Sequence, residues 1–258
     1  MSGISGISSA SSYSLYGQIS SGNKLTSAAM GAAELAISEK QNSQIKGYDA
    51  ATNNLASGKD LLNISDAALS GVTDYLQRIR ELALQASNSA LMSDDDIAGI
   101  QGEIDQMKQG IADIASQTQY NAQNLLNGSR PGGFQIASDG NGNSVSIHDG
   151  VNSTLKALGI ADFDVTKDFD LDTIDNALNK VSSMRSRGGA QSNRLDHAIN
   201  FNSYASYNTT ASRSRIADTD YGKAITELNK QQTLQTYSLM MQKRKMQDEA
   251  RKMQNFWT

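Results

Sequence analysis

The 258-residue chain carries 23 Lys and Arg against 27 Asp and Glu, a net charge of -4, with one Pro, one Trp and only 6% aromatic residues. The absence of cysteine excludes disulfides, thiolate nucleophiles and thiolate metal sites, and the acidic balance gives no general pull toward nucleic acid or an anionic membrane. With few large side chains, such a composition suits long helices joined by thin, small-residue seams better than a thick spherical core.

Residues 1–23 are rich in Ser and Gly, with Ile4, Ile7, Leu15 and Ile19 scattered among them. That is too little for an isolated helix, so disorder is expected there unless a partner organises the segment. No run in the chain is apolar enough to cross a bilayer, and the first residues lack the basic start and apolar stretch of a cleaved signal. The expectation is a protein that stays inside or leaves by a route needing no such signal.

From about Leu25 to Asn88 the pattern is long and regular. Heptad steps from Tyr48 pass through Leu55, Leu62, Leu69, Leu76 and Ala83, and the companion seam reads Ala51, Gly58, Ser65, Val72, Ile79 and Ala86. One large and one small seam predict a long helix packed closely on its neighbours, on the order of 90 Å at ~1.5 Å per residue. In "LQRIRELALQASN" (residues 76–88), Leu82 and Leu84 fall outside the stripe, among Arg78, Arg80, Glu81 and Gln85. A helix needs one face for its own core, so these either contact something else or, with Arg78 merely solvated, Leu82 widens the stripe of the same core.

The helix should stop near "SNSALMSDDD", where Ser93 and Asp96 form a capping-box pattern and three aspartates favour a helix amino terminus. Ile97, Ile100, Ile104, Met107, Ile111 and Ile114 then keep a 3-4 alternation that predicts a second helix folding back on the first. "FQIASDGNGNSVSIHDG" alternates on either side of Asn141 and Gly142 and predicts a β-hairpin. Helical spacing resumes with Ile174, Leu178, Val181 and Met184 and continues, weaker, to the end. The fold class expected is mainly α: an elongated, coiled-coil-like helical rod with a small hairpin and its termini packed together. Its core would hold Leu55, Leu62, Leu69, Val72, Leu76, Ile79, Ile100, Ile104, Met107, Ile111, Leu178 and Val181.

These motifs resemble bacterial flagellin. "LQRIRELALQASN", "IQGEIDQ" and "IASQTQYNAQNLL" look like the amino-terminal conserved half, "ALNKVSSMRSRGGAQSNRLDHAIN" and "ASRSRIADTDY" like the carboxy-terminal half, and the hairpin with its following "ALGI" like the joining segment. The resemblance implies an amino-terminal arm over 1–45, rod helices over 46–130, a hairpin region over 131–170, a rod helix over 171–215 and a carboxy-terminal arm over 216–258. It implies a subunit that assembles with its own copies into an extracellular flagellar filament. It also implies export through the flagellar type III apparatus, with a secretion chaperone on the carboxy-terminal arm.

By position, Gln77, Arg78, Leu82 and Gln85 would contact neighbouring subunits or Toll-like receptor 5. Three segments depart from the family: a short, Ser-rich start, "LTSAAMGAAE" in place of a charged stretch, and a tail with Lys243, Arg244, Lys245, Arg251 and Lys252. Gly110 stands where a further receptor contact, a Glu, is usual. The altered ends leave a second expectation open: a minor or non-polymerising relative that binds filament, chaperone or receptor.

Chemistry is expected to be absent, with no enzyme, catalytic residue, cofactor or metal. His148 and His197, the only histidines, lie in different segments and read as ordinary polar residues. "DGNGNS" from Asp139 lacks the Gly and Glu that a calcium loop needs at residues 144 and 150.

Overall fold

The computed structural model describes the backbone of residues 3–88, 92–148 and 150–256, and within these the side chains of residues 12–253. Ser89, Ala90 and Leu91 of the expected interhelical turn, Asp149 after the hairpin, and the side chains of Ile4 and Ile7 lie outside the described residues. The helices are α1 (Gly3–Ser21), α2 (Ala32–Ala86), α3 (Asp94–Gln117), α4 (Leu155–Leu158), α5 (Asp172–Ala217) and α6 (Tyr221–Phe256), with a 3-10 turn at Ala28–Met30. Two antiparallel pairs complete the fold, β1 (Gln119–Tyr120) with β2 (Gln123–Asn124) and β3 (Phe134–Ala137) with β4 (Ser144–Ile147). The chain divides into two compact units, Lys46–Ser206 and Met1–Ile45 with Tyr207–Thr258.

The Lys46–Ser206 unit is built on the heptads of α2. Its two seams, from Ala51 and Leu55 to Ala83 and Ala86, are buried throughout. Antiparallel neighbours cover them. Lys59, Asp66 and Arg80 on α2 pair with Asp196, Arg185 and Asp175 on α5 at 2.7, 2.8 and 2.6 Å, so the numbers rise on one helix as they fall on the other. On α3, Gly110 lies against the Tyr75 ring and Ile114 against Gly71. Partly exposed pairs of this kind contribute at most about 1 kcal/mol each, so they fix register while the buried aliphatic side chains supply the stability. Of the twelve core positions named above, ten are buried, and Met107 and Leu178 are partly buried against the same cluster.

Local chemistry explains where α3 starts. The Ser93 hydroxyl accepts from the Asp96 amide at 3.2 Å while the Asp96 carboxylate accepts from the Ser93 amide at 3.0 Å, which satisfies two otherwise orphaned donors. The hairpin pairs Phe134 with Ile147 and Ile136 with Val145. It packs on α2 through two glycines: Ile136 seats in the notch at Gly58, and the Gly140 backbone lies where a Cβ on Gly47 would come within 2.8 Å of its Cα. His148, buried and in the left-handed region at φ 58°, places Nε2 2.7 Å from the Leu125 carbonyl, and its amide donates to Gln191 on α5 at 2.9 Å. This ties the hairpin to its neighbours.

The unit formed by the two chain ends is thinner. Residues 3–21 form α1, in place of the disorder expected, because α6 covers them. Ser12 donates to Gln231 at 3.1 Å, and the Tyr16 hydroxyl accepts from Gln232 at 2.8 Å. Past α1, Lys24 donates to the Ala217 carbonyl and Thr219 to that of Gly22, an antiparallel bridge that interrupts the helical run between α5 and α6. Among the described residues, the buried apolar side chains of this unit are Leu25, Ala217, Ala224 and Leu228. The β1–β2 pair is also unforeseen: its turn residues Asn121 and Ala122 both lie in the left-handed region, at φ 48° and 59°, which Ala disfavours.

Candidate assembly surface

The α2 segment from Leu76 to Asn88 separates into two faces. Leu76, Ile79, Ala83 and Ala86 are buried, whereas Gln77, Arg78, Glu81, Leu84 and Gln85 are exposed. Arg78 is held across the groove to α3, its Nη2 2.7 Å and Nε 3.0 Å from a Glu103 carboxylate oxygen and its Nη1 3.2 Å from Glu81. Hydrogen bonds donated to Glu103, then to Glu81, raise its already high pKa, so the charge is fixed and its donors are aimed.

Leu82 is a correction. It stands outside the two seams in the sequence, yet it is only 2% exposed and belongs to the core cluster. The reason is a third heptad position, Leu61, Ala68, Tyr75 and Leu82, which is buried or packed against the core over the stretch where α3 folds back. Leu84, 42% exposed, is the apolar side chain that this face offers outward. Gly110 also has a structural reason: a Cβ there would lie 2.8 Å from the Tyr75 ring, so the missing side chain lets the ring lie over α3.

Most of the exposed large apolar side chains among the described residues are on the other unit. Tyr13 and Tyr16 on α1 and Ile225, Leu234, Tyr237, Leu239 and Met246 on α6 are exposed, and every residue from Thr236 to Met253 is exposed. These residues are visible in the sequence, the last of them directly after the basic cluster Lys243, Arg244 and Lys245. The units also differ in charge. The terminal unit has eleven Lys and Arg against seven Asp and Glu, net +4, and Lys46–Ser206 has twelve against twenty, net -8. Among the described residues no group of three or more His, Asp or Glu is placed to hold a metal, and no helix is long and apolar enough to cross a membrane.

Two long helical regions flanking a small β segment, with uncovered apolar helix faces at both chain ends, match a known family over most of their length. Residues 4–130 match the bacterial flagellin N-terminal helical region and residues 171–250 the bacterial flagellin C-terminal helical region. The chain belongs to the bacterial flagellin family. It is 34% identical over 262 residues to the flagellin of Bacillus subtilis (strain 168), covering 87% of this chain and 86% of that protein. It is 32% identical over 242 residues to flagellin FlaB2 of Treponema pallidum (strain Nichols), covering 84% and 82%. The crystal structure of Bacillus cereus flagellin superposes with a TM-score of 0.51 at 28% identity, over 58% of this chain and 88% of that one. In this flagellin-family chain the hairpin region lies between the two matched regions, where residues 131–170 join the α3 side of the fold to α5.

Proposed function

We propose that the chain is a structural subunit that polymerises with its own copies into the extracellular flagellar filament, and that it performs no catalysis. The observation that carries this reading is the uncovered apolar row of α6 at heptad spacing, Leu239, Met246 and Met253, with Leu234 and Tyr237 exposed on another face; their hydration is unfavourable in a lone chain and is relieved by burial against another copy. The same row suits a chaperone that shields it until export through the flagellar secretion apparatus. Gln77, Arg78 and Gln85, exposed together on α2, support a second role as a contact for neighbouring subunits or Toll-like receptor 5.

A specific observation favours a second reading. Lys243, Arg244, Lys245, Arg251 and Lys252 crowd the end of α6 against Asp248 and Glu249, and stacked copies would bring these cations together. That favours a minor or non-polymerising flagellin-related protein. Electron microscopy of purified protein seeded with filament fragments, with sedimentation of an unseeded sample, separates the two. Filaments of regular diameter are expected, lost on truncation after Gln235. Persistent monomers under seeding would overturn the polymerising reading.

A further inference from the structure

The chain has two Asn-Gly pairs, Asn127–Gly128 and Asn141–Gly142, and the fold puts them in opposite surroundings. Asn141 is exposed at the hairpin tip and its side chain makes no hydrogen bond among the described residues. Gly142 is exposed too, sits at φ 89°, and has no atom within 4 Å of the place a Cβ would occupy. Asn127 is half-buried, and its Oδ1 accepts from the Ser129 amide at 3.0 Å. Its backbone bridges to Asn152, whose side chain presses directly on Gly128.

We propose that Asn141 is a site of spontaneous deamidation that the fold selects, while Asn127 is protected. The Gly142 amide nitrogen attacks Asn141 Cγ and forms a C–N bond as it loses its proton, while the Cγ–Nδ2 bond breaks and Nδ2 leaves with that proton as ammonia. Water then opens the resulting succinimide at one of its two carbonyls, leaving aspartate or isoaspartate. The step requires no oxidant, reductant or enzyme. It requires a side chain free to swing over the following amide and a following residue without a Cβ to obstruct it. The hairpin tip meets both conditions; the Asn127 turn has the glycine but not the free side chain, since the Ser129 amide holds Asn127 Oδ1 and Asn152 crowds Gly128. Asp139, which draws in the amides of Asn141, Gly142 and Asn143, restrains the loop and slows the step without shielding the carbon.

The product matters because of its neighbour. Gly140 packs backbone to backbone on Gly47 of α2. Isoaspartate at 141 lengthens the main chain by one methylene next to that contact, and either product adds a carboxylate beside Asp139. The reaction therefore marks the age of a chain and loosens the hairpin tip from α2, whether or not the chain is assembled.

The test uses the full chain, incubated folded in isotopically labelled water at mildly alkaline pH and mapped by peptide mass spectrometry, with a parallel sample in chaotrope. Label is expected at residue 141 at least about tenfold faster than at 127 in the folded chain, with the two rates converging once the chain is unfolded. Asn141→Gln should leave that peptide unlabelled. Equal rates in the folded chain, a faster rate at 127, or a folded chain inert at 141 while the unfolded chain reacts there would overturn the proposal.

Discussion

The two units are made from the same kind of element, a long helix in antiparallel contact with another, yet they differ in what the contact contains. In Lys46–Ser206, α2 has three neighbours, α3, α5 and the hairpin, and three of its heptad positions face them. In the terminal unit, α1 and α6 meet through Ser12, Gln231, Tyr16 and Gln232, and every side chain described in the far half of α6, from Thr236 to Met253, is exposed. Side chains of similar polarity therefore contribute to stability in one unit and are left for another molecule in the other. What decides this is how many helices share the seam.

The largest expected effect follows directly. Leu76→Ala removes a fully buried side chain between helices and should cost about 2–5 kcal/mol in chemical denaturation. Leu239→Ala, at a position 64% exposed, should change the stability of the isolated chain by no more than about 0.5 kcal/mol. It should nevertheless lower the yield of seeded filaments. Equal losses at the two positions would show that α6 is stabilised within the chain after all.

Glycines report the same contrast with a smaller effect. Gly47→Ala drives a Cβ into the Gly140 backbone, and overpacking of about 1–3 kcal/mol should outweigh the gain in helix propensity of about 1 kcal/mol. Gly17 on α1 has open space around it, so Gly17→Ala should stabilise by about 0.5–1 kcal/mol. Hydrogen exchange over residues 138–143 for the first, and helicity with thermal melting for the second, measure the opposite signs.

The smallest effect concerns acid. The Lys167 ammonium, then the Thr166 hydroxyl and amide, hold the Asp164 carboxyl down at about 2, below its ordinary 3.8. Because the folded value is the lower one, this contribution is complete above about pH 4 and is lost as pH falls toward about 2. Asp164→Asn should flatten that part of the acid limb of a denaturation series by lowering stability above about pH 4, only slightly because Lys167 is itself exposed, and leave stability near pH 2 unchanged.

Much of the fold is legible in the residues. The seams from Ala51 to Ala86, the Ser93 capping box and the hairpin around Asn141 are local patterns, and each carries its own physical cause over a few turns or a single loop. Leu82 reads from the sequence either as an outward contact or as a widening of the core stripe, and α3 lying alongside decides for the core. The helix α1 was not legible, because its cover comes from residues more than two hundred positions away. The Asn121–Ala122 turn was missed because an alanine in the left-handed region is held there by its surroundings and signals nothing itself.

For the candidate surface the division is similar. Gln77, Arg78 and Gln85 can be placed on one face of a helix from spacing alone, but the capture of Arg78 by Glu103 and the burial of Leu82 are set by α3. By itself the sequence determined helical periodicity, the cap and turn positions, the charge of each segment and the family to which they belong. The tertiary structure decided which rows of each helix are covered, why Gly47, Gly58 and Gly110 carry no side chain, and which Asn-Gly pair stands open. Periodicity is a property of one helix, whereas burial is a property of the neighbours that close over it.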